Sequence, residues 1–511
     1  MLTTLTTLTD NWAPVSLSHK VFSAEQVRNN EQAAALALGC PMFVLMERAG
    51  QAAFDHLKQC WPYARRIAIL VGSGNNGGDG YVVARLAKAF GWQVSLAAID
   101  PGVKLTGDAR QAQQSWLAAQ GTVLHWQDLD LPSFDIIVDA LLGTGLSGTV
   151  KPHFAQAIDA VNQADVPVLS IDIPSGLHAD LGYPLGHCVQ ADYTVTFVGK
   201  KTGLTSGQGK HYSGNLLYND LGIGESFASL AKPAAYLISF AHLPKLTPRA
   251  EHAHKGQFGR LLCIGADQGM PGSIRMTGEA ALRSGAALVR IYCHNDNRAV
   301  IAMGRPELML TSDSINQQLT WASVLALGPG LGLNDWGTEL FTQVFNHLMQ
   351  HSKPLVIDAD GLNILAADKT GLHQRLDNKQ VVLTPHPGEA ARLLGCSTTE
   401  IECNRLQSVQ EIARQYNAVC VLKGAGTMIS NGCHSWICQD GNPGMATGGM
   451  GDVLTGIIAA LLCQGMNATQ AALYGVCLHG AAADKVASQC GQRGMLATDL
   501  FDPLRVLINC P

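Results

Sequence analysis

Short apolar runs alternate with helical stretches along most of this chain, and that alternation leaves few folds open to it. Runs at 67–71, 94–98, 123–125, 136–139, 166–171 and 193–197 are predicted strands, and runs at 261–264, 287–292, 324–327, 355–357, 381–383 and 419–422 form a second series. Runs this short, joined through helices, specify parallel sheets wound on both sides. The fold class is therefore α/β, and 511 residues exceed what one domain usually holds. The rhythm breaks after Asp220, where the stretch ending LPKLTPRAEHAHKGQFG crowds prolines, histidines and basic residues. Two domains follow, 1–222 and 251–511, with a linker at 223–250. Ahead of the first run, Ser23-x-x-Gln26 reads as a capping box opening a helix that Gly39 stops, and Pro41 begins another. Three helical stretches after Gly449 close the chain.

Composition narrows the function classes. Charged residues make up 15% and the net charge is −5, with no run of five Lys or Arg. Neither nucleic acid nor an anionic membrane is an expected partner. The 14 cysteines include no CxxC pair, so a zinc ribbon or thioredoxin-like motif is not offered. Cys433, His434 and Cys438 fall in an alternating, strand-like stretch and read as ordinary thiols and a neighbour rather than ligands. The N-terminus lacks a basic start and a long apolar core, and no apolar run reaches membrane length. The expected location is a reducing cytoplasm.

The densest local signal is Gly72-Ser73-Gly74-Asn75-Asn76-Gly77-Gly78-Asp79-Gly80, between a predicted strand and a predicted helix. Glycines let backbone approach a ligand or adopt positive φ, and a helix start favours an anion. The loop has no Lys-Ser/Thr end, so it is not a P-loop. It matches the bare G-x-G-x-x-G of dinucleotide folds only weakly, because Asn75, Asn76 and Asp79 are not what such a loop needs. Two further strand ends carry Asp139 before Gly143–Gly148 and Asp172 before Pro174-Ser175-Gly176. Ligands of open α/β sheets lie beyond the carboxyl ends of strands, so Asp79, Asp139 and Asp172 are expected around one cleft. Partial desolvation at its strand end would raise the Asp172 pKa toward that of a general base.

In the second half, Gly441-Asn442-Pro443-Gly444-Met445-Ala446-Thr447-Gly448-Gly449-Met450-Gly451-Asp452 precedes a helix. Successive backbone N–H groups there make an anion hole, reinforced by the helix dipole. Asp452, just inside the helix, is placed to take a proton from a hydroxyl beside that hole.

GSGNNGGDG, DALLGTGLSG and IDIPSGL together resemble the NAD(P)H-hydrate epimerase family, over roughly residues 20–220. GNPGMATGGMGDVLTG resembles the ADP-dependent NAD(P)H-hydrate dehydratase family, and Leu327–Gly332, Asp358–Asn363, Thr384–Glu389 and Leu422–Thr427 agree with it in order over 250–505. The resemblance implies a Rossmann-like first domain and a ribokinase-like second one. It implies that Asn75, Asn76, Gly77, Gly78, Asp79 and Gly143, Thr144, Gly145, Leu146, Ser147, Gly148, Thr149 hold the substrate, with Asp172 as acid/base. Asn76, Asp139 and Ser175 would ligate K+. In the second domain Ala287, Gly330 and His386 would line the hydrate pocket, and Lys423, Gly424, Ala425, Gly426, Thr427 and Gly451 would hold ADP. Asp452 would be the base, and Glu389 would orient Mg2+ through water. The first family tends to show glycine where Val198 stands, which leaves the roles of Lys200 and Lys201 open.

The implied activity is repair of the hydrates of NADH and NADPH, NADHX and NADPHX. One domain interconverts their epimers, and the other spends ADP to restore the ring. A homo-oligomer is expected. Two alternatives are a vitamin kinase carrying a nucleotide-binding regulatory half, and a first domain that only binds nucleotides or a protein partner. The first leaves the Thr384-Pro385-His386-Pro387-Gly388-Glu389 motif unexplained; the second leaves Asp172 without a purpose.

Overall fold

A computed structural model describes residues 16–368, 371 and 380–509. The chain divides between Tyr236 and Leu237, inside the stretch expected as a linker. That stretch is not an open linker. It contains the helix Gly224–Leu230, the strand Ala235–Ile238 and a helical turn at Phe240–His242. Prolines and histidines there mark turns between short elements rather than loose chain.

The N-terminal unit contains β1 (Lys20–Phe22), β2 (Arg66–Val71), β3 (Gln93–Ala98), β4 (Leu124–His125), β5 (Ile136–Ala140), β6 (Val168–Ile171), β7 (Tyr193–Phe197), β8 (Lys200–Lys201) and β9 (Asn215–Asn219). Seven strands form a parallel sheet in the order β4-β3-β2-β5-β6-β7-β9. Successive side chains point to opposite faces. Ile67, Ile69 and Val71 join one apolar core with the helices Met42–Cys60 and Asn75–Ala89. Ala68 and Leu70 join a second core with Pro152–Gln163. Burial on both faces explains why the strands are apolar throughout rather than alternating. The strand order reverses between β2 and β5, the switch point where such sheets open a cleft. To one side, β1 pairs in parallel with β8, Phe22 opposite Lys201.

The C-terminal unit adds β10 (Ala235–Ile238, which straddles the division), β11 (Arg260–Ile264), β12 (Leu288–Tyr292), β13 (Met309–Leu310), β14 (Val324–Leu327), β15 (Leu355–Ile357), β16 (Val381–Leu383), β17 (Val419–Leu422), β18 (Met428–Ser430) and β19 (Ser435–Cys438). From β13 to β17 the order β13-β12-β11-β14-β15-β16-β17 is parallel, and β18 and β19 continue it antiparallel. The helix Met450–Cys463 packs on Pro271–Arg283 with Gly456 at the contact, where a Cβ would lie 2.1 Å from the Thr277 carbonyl oxygen. Only glycine permits that approach.

Candidate functional sites

The N-terminal cleft, about 630 Å³, lies at the carboxyl ends of β2, β5 and β6. Asn75, Asn76, Asp79, Gly143–Ser147, Thr149 and Asp172 line it as expected. The glycine-rich segment differs from its reading as a loop. Helix begins at Asn75, so Asn75–Gly80 are its first turns. None of Gly72, Gly74, Gly77, Gly78 or Gly80 has positive φ. They are small because the backbone is crowded: a Cβ on Gly77 would sit 2.1 Å from the Gly72 oxygen, and one on Gly78 would strike Met46. Gly77 and Gly78 therefore pack the helix start and do not line the cleft; Gly148 shapes its loop at φ +76 and does not line it either.

Asp139, fully buried, accepts hydrogen bonds from Ser170 Oγ (2.8 Å), Ser175 N (2.8 Å), Ser175 Oγ (2.5 Å) and Leu141 N (3.2 Å). Burial pushes its pKa up, and these bonds offset only part of the rise. Asn76 Nδ2 donates to the Leu142 carbonyl at 3.0 Å, and the Leu142 N–H donates to Ser175 Oγ at 2.8 Å. Asn76 and Ser175 thus meet at Leu142, and Asp139 joins them through Ser175. Among the described residues Asn76 Oδ1 is buried with no hydrogen-bond partner. A buried, orphaned carbonyl beside a carboxylate is a donor set that fits a weakly charged cation.

Asp172 ends β6 in the left-handed region, φ +63, a conformation Asp tolerates better than most. Its Oδ1 accepts from Lys201 Nζ at 2.5 Å, Thr196 Oγ1 at 3.2 Å and Phe197 N at 3.3 Å. Asp172 does not stand alone at its strand end: the buried Lys201 ammonium is its main neighbour. Lys201 is the residue whose role was left open, and its place is set by the β1–β8 pairing. Lys200 turns instead over the Tyr218 ring at 5.5 Å. Val198, where glycine is usual, takes φ +61 and is buried.

In the C-terminal unit a second lysine–aspartate pair stands at strand ends. Lys423 Nζ donates to Asp358 Oδ1 at 2.8 Å and lies 3.7 Å from Glu389 Oε2; Thr455 Oγ1 donates to Asp358 Oδ2 at 2.8 Å. Burial alone would raise the Asp358 pKa, but Lys423 and the hydroxyl bonds outweigh it and hold it below the usual range. Asp452, in the first turn of Met450–Cys463, is pushed up to about 7 by burial and then by Asp358, with Lys423 opposing. Glu389 rises to about 7, again by burial first. A Cβ on Gly451 would lie 3.2 Å from Lys423 Nζ, so Gly451 belongs to the cluster. The Lys423 side chain is committed to Asp358, and Gly424 and Gly426 bend the backbone that follows at φ +132 and +63.

His386 is an exposed helix cap, not a core histidine. Its Nδ1 accepts from Gly388 N and Glu389 N, and its own N–H donates to Glu389 Oε2 at 2.7 Å. Nδ1 accepting fixes the ring proton on Nε2. Gly330 borders a cavity of about 430 Å³ with Met270, Ser273 and Asp360. Ala287 precedes β12, at the amino end of a parallel strand, whereas Gly330 and His386 follow the carboxyl ends of β14 and β16, so the fold does not bring the three to one edge of the sheet. Sequence reasoning missed Asp358 and Thr455, although the Asp358-Ala359-Asp360 motif was in view. It also missed Asp484, whose carboxylate accepts from Gly441 N and Asn442 Nδ2, both at 2.8 Å, and so anchors the glycine-rich loop.

Two α/β units, each with a lysine holding a carboxylate beside further acids at its sheet's carboxyl edge, define a two-domain enzyme. A family model described as YjeF-related protein N-terminus matches residues 42–203, and one described as NAD(P)H-hydrate dehydratase matches 261–505. The bifunctional NAD(P)H-hydrate repair enzyme of Escherichia coli K12 is 46% identical over 502 residues, covering 97% of this chain and 95% of its own. That of Coxiella burnetii is 42% identical, covering 96% and 99%. A solved ribokinase-like protein from Enterococcus faecalis V583 is 28% identical with a TM-score of 0.50, covering 54% of this chain and 95% of its own. The chain belongs to the family of bifunctional NAD(P)H-hydrate repair enzymes.

Proposed function

We propose that the chain epimerises the R and S hydrates of NADH and NADPH in its N-terminal unit and dehydrates the S hydrate in its C-terminal unit, converting ADP to AMP and phosphate. The observation that carries the second step is the Asp452 carboxyl, half-buried at a helix start and pushed up to about 7 beside the Lys423–Asp358 pair. A carboxyl of that pKa is a competent base at neutral pH. Asp452 takes the proton of the ring hydroxyl at C6 as that oxygen attacks the β-phosphorus of ADP and AMP departs. Phosphate then leaves from C6 with its bonding pair, C5 gives up a proton, and the C5–C6 double bond returns. The Gly441–Gly451 backbone, held by Asp484, faces the phosphates with N–H groups. Mg2+, which Glu389 would orient through water, supplies charge neutralisation for the diphosphate when bound.

In the N-terminal unit Asp172 serves as the proton-transfer group, and Asn76, Asp139 and Ser175 would hold K+, supported by the orphaned Asn76 Oδ1. Bound K+ would offset the charge of the substrate phosphates. All the described cysteines are free thiols, which supports a reducing, cytoplasmic setting. The test is hydrate repair followed at the NADPH absorbance, with and without ADP, against phosphorylation of free vitamins. Cofactor regenerated in step with AMP and phosphate is expected. Repair at full rate without nucleotide, or phosphorylation of a vitamin instead, would overturn the reading.

A further inference from the structure

The helix Ala24–Ala37 has no part in the assignments above, yet one of its faces closes the N-terminal cleft. Ala24, Val27, Arg28 and Glu31 fall at i, i+3, i+4 and i+7, a single helical stripe, and all four line the cavity. A stripe along a cavity wall is ordinarily apolar; here half of it is charged, Arg28 being exposed and Glu31 half-buried. The helix is fixed at its start. Ser23 and Gln26 complete the capping box, and Ala24 N donates to Asp180 Oδ1 at 2.6 Å. Immediately before it, β1 pairs with β8, so one strand pairing sets both Glu31's helix and Lys201.

Three carboxyl groups, Glu31, Asp79 and Asp172, share this cleft with Lys201; Arg28, Lys151 and Asp108 line it as well. Lys201 is bonded to Asp172. Among the described residues neither Glu31 nor Asp79 has an ion pair. Burial is the main force raising the Glu31 pKa; Asp172 adds to the rise and Lys201 opposes it. Asp79 is raised well above its usual range, by burial and then by Asp172 and Glu31. The cleft therefore sets a carboxylate bonded to an ammonium beside carboxyls whose protonated form burial and like-charged neighbours favour.

Epimerisation needs both. The hydrated carbon C6 carries the hydroxyl and the ring nitrogen N1, and inverting it means opening one of those bonds and closing it on the other face. Resting on the epimerase reading, we propose that Glu31 is the second proton-transfer residue of this reaction, the acid that works opposite Asp172. Asp172 removes the hydroxyl proton, and the freed electron pair forms the C6–O double bond. The C6–N1 pair moves to N1, which takes the proton of Glu31. Rotation about C5–C6 turns the other face of the aldehyde to N1. N1 adds back and returns its proton to Glu31, while the oxygen recovers one from Asp172. Nothing is consumed. Asp79 sits on the helix start, among the residues expected at the substrate's phosphates, whereas Glu31 comes from a separate wall.

The experiment uses the full chain, R hydrate alone, ADP, and a separate dehydratase in excess, so that epimerisation limits the rate. Glu31→Gln is expected to lower kcat by roughly 10²-fold with KM within about twofold, and to remove the fall in rate at alkaline pH. The protein's own dehydration of S hydrate should be unaffected. Glu31→Asp, which keeps a carboxyl, should recover part of the rate and restore the alkaline limb at a shifted pH. A Gln variant at the parental rate, or one changed in KM alone, overturns the proposal. So does an Asp variant with the parental pH profile, or an alkaline limb that disappears with Asp79→Asn and not with Glu31→Gln. Should the Gln variant fail to fold, the Asp variant decides. If the parent chain itself converts R hydrate no faster than the spontaneous rate, the epimerase reading fails instead, a result distinct from any of these.

Discussion

In the N-terminal cleft the buried lysine meets the aspartate assigned to proton transfer; in the C-terminal cleft it meets a different aspartate and leaves the assigned one to its neighbours. Lys201 holds Asp172 at 2.5 Å, and the carboxyls left over, Glu31 and Asp79, rise. Lys423 holds Asp358 at 2.8 Å, and the carboxyls left over, Asp452 and Glu389, rise to about 7. Both sites sort acids into one pinned by a lysine and others whose pKa is raised. Their use differs with the chemistry. A reversible inversion needs a donor and an acceptor together, so the mechanism proposed for it uses a pinned and a raised group. A phosphoryl transfer needs one base that gives its proton up later, and the raised Asp452 suffices.

The largest expected effect breaks one side of this comparison cleanly. Asp452→Asn should lower ADP-dependent dehydration of pure S hydrate by ~10²–10⁴-fold and leave conversion of R to S untouched. Near-parental repair from the S epimer would remove Asp452 from the mechanism. The mirror experiment is Asp172→Asn, expected to slow R to S conversion by about 10²-fold or more with dehydration of S hydrate unchanged. A variant that converts R hydrate as fast as the parent would reduce Asp172 to a turn residue.

The pinned pair itself can be opened. Lys423→Met leaves the buried Asp358 carboxylate without its cation, with the Thr455 hydroxyl still bonded to it, a loss of about 3–5 kcal/mol at neutral pH. The Asp358 pKa is lowered in the fold, so its contribution is present above the unfolded carboxylate pKa and disappears as pH falls through the folded value. The difference between parent and variant in thermal unfolding of the C-terminal unit should therefore shrink in acid. An equal difference at every pH would mean that lost packing, not the ion pair, carries the effect. Asp452 gives the opposite sign. Its pKa is raised, so the folded state binds the extra proton and stability declines between the unfolded value and about 7. Activity runs the other way: kcat/KM for dehydration should climb about tenfold per unit up to pH about 7 and then level, with Lys423→Met moving the limb upward. A flat profile from pH 5 to 8 would show that Asp452 does not titrate during turnover.

How far sequence carried the two clefts follows the same division. Strands β14, β15, β16 and β17 fall where apolar runs place them, because a strand buried on both faces must be apolar throughout. Strands β1, β8 and β13 are two or three residues long, too short for any period to show. Asp139, Asp172 and Asp452 were legible because they follow strands or glycines. Glu31 was not: its helix was read from the capping box, and only the charged members of its inward stripe hinted at a site. Asp358 was in view as a motif, but nothing along the chain says that Lys423, 65 residues later, closes on it. The glycines of 72–80 were misread for a related reason. Their neighbours, Leu141 and Met46, are distant in sequence, so close packing and positive φ look alike until the fold is known.

The smallest expected effect concerns backbone strain, which both clefts carry beside their pairs. Ala359, next to Asp358, takes φ +49; Asp172 and Val198 take +63 and +61. Val198 is the most unfavourable of these, since a β-branched side chain in the left-handed region is a true outlier. After Lys423 the same region is occupied by Gly424, at φ +132, without that penalty. Val198→Gly should recover about 1–2 kcal/mol of strain. Against this stand the lost burial of the side chain, roughly 1.5–3 kcal/mol, and the greater chain entropy of glycine, about 0.5–1 kcal/mol. The net is a modest loss. Val195→Gly, three residues earlier in β7 and equally buried, incurs both losses and recovers no strain. Thermal unfolding of the two variants should therefore differ by about 1–2 kcal/mol in favour of Val198→Gly, or roughly 2–8 °C for a unit of this size. Lys201 is still held by the pairing of β1 with β8, so R to S conversion should stay near the parental rate in Val198→Gly. Equal destabilisation by the two substitutions would mean that Val198 rests unstrained, and a collapse of epimerisation would mean that the valine, rather than the strand pairing, aims Lys201 at Asp172.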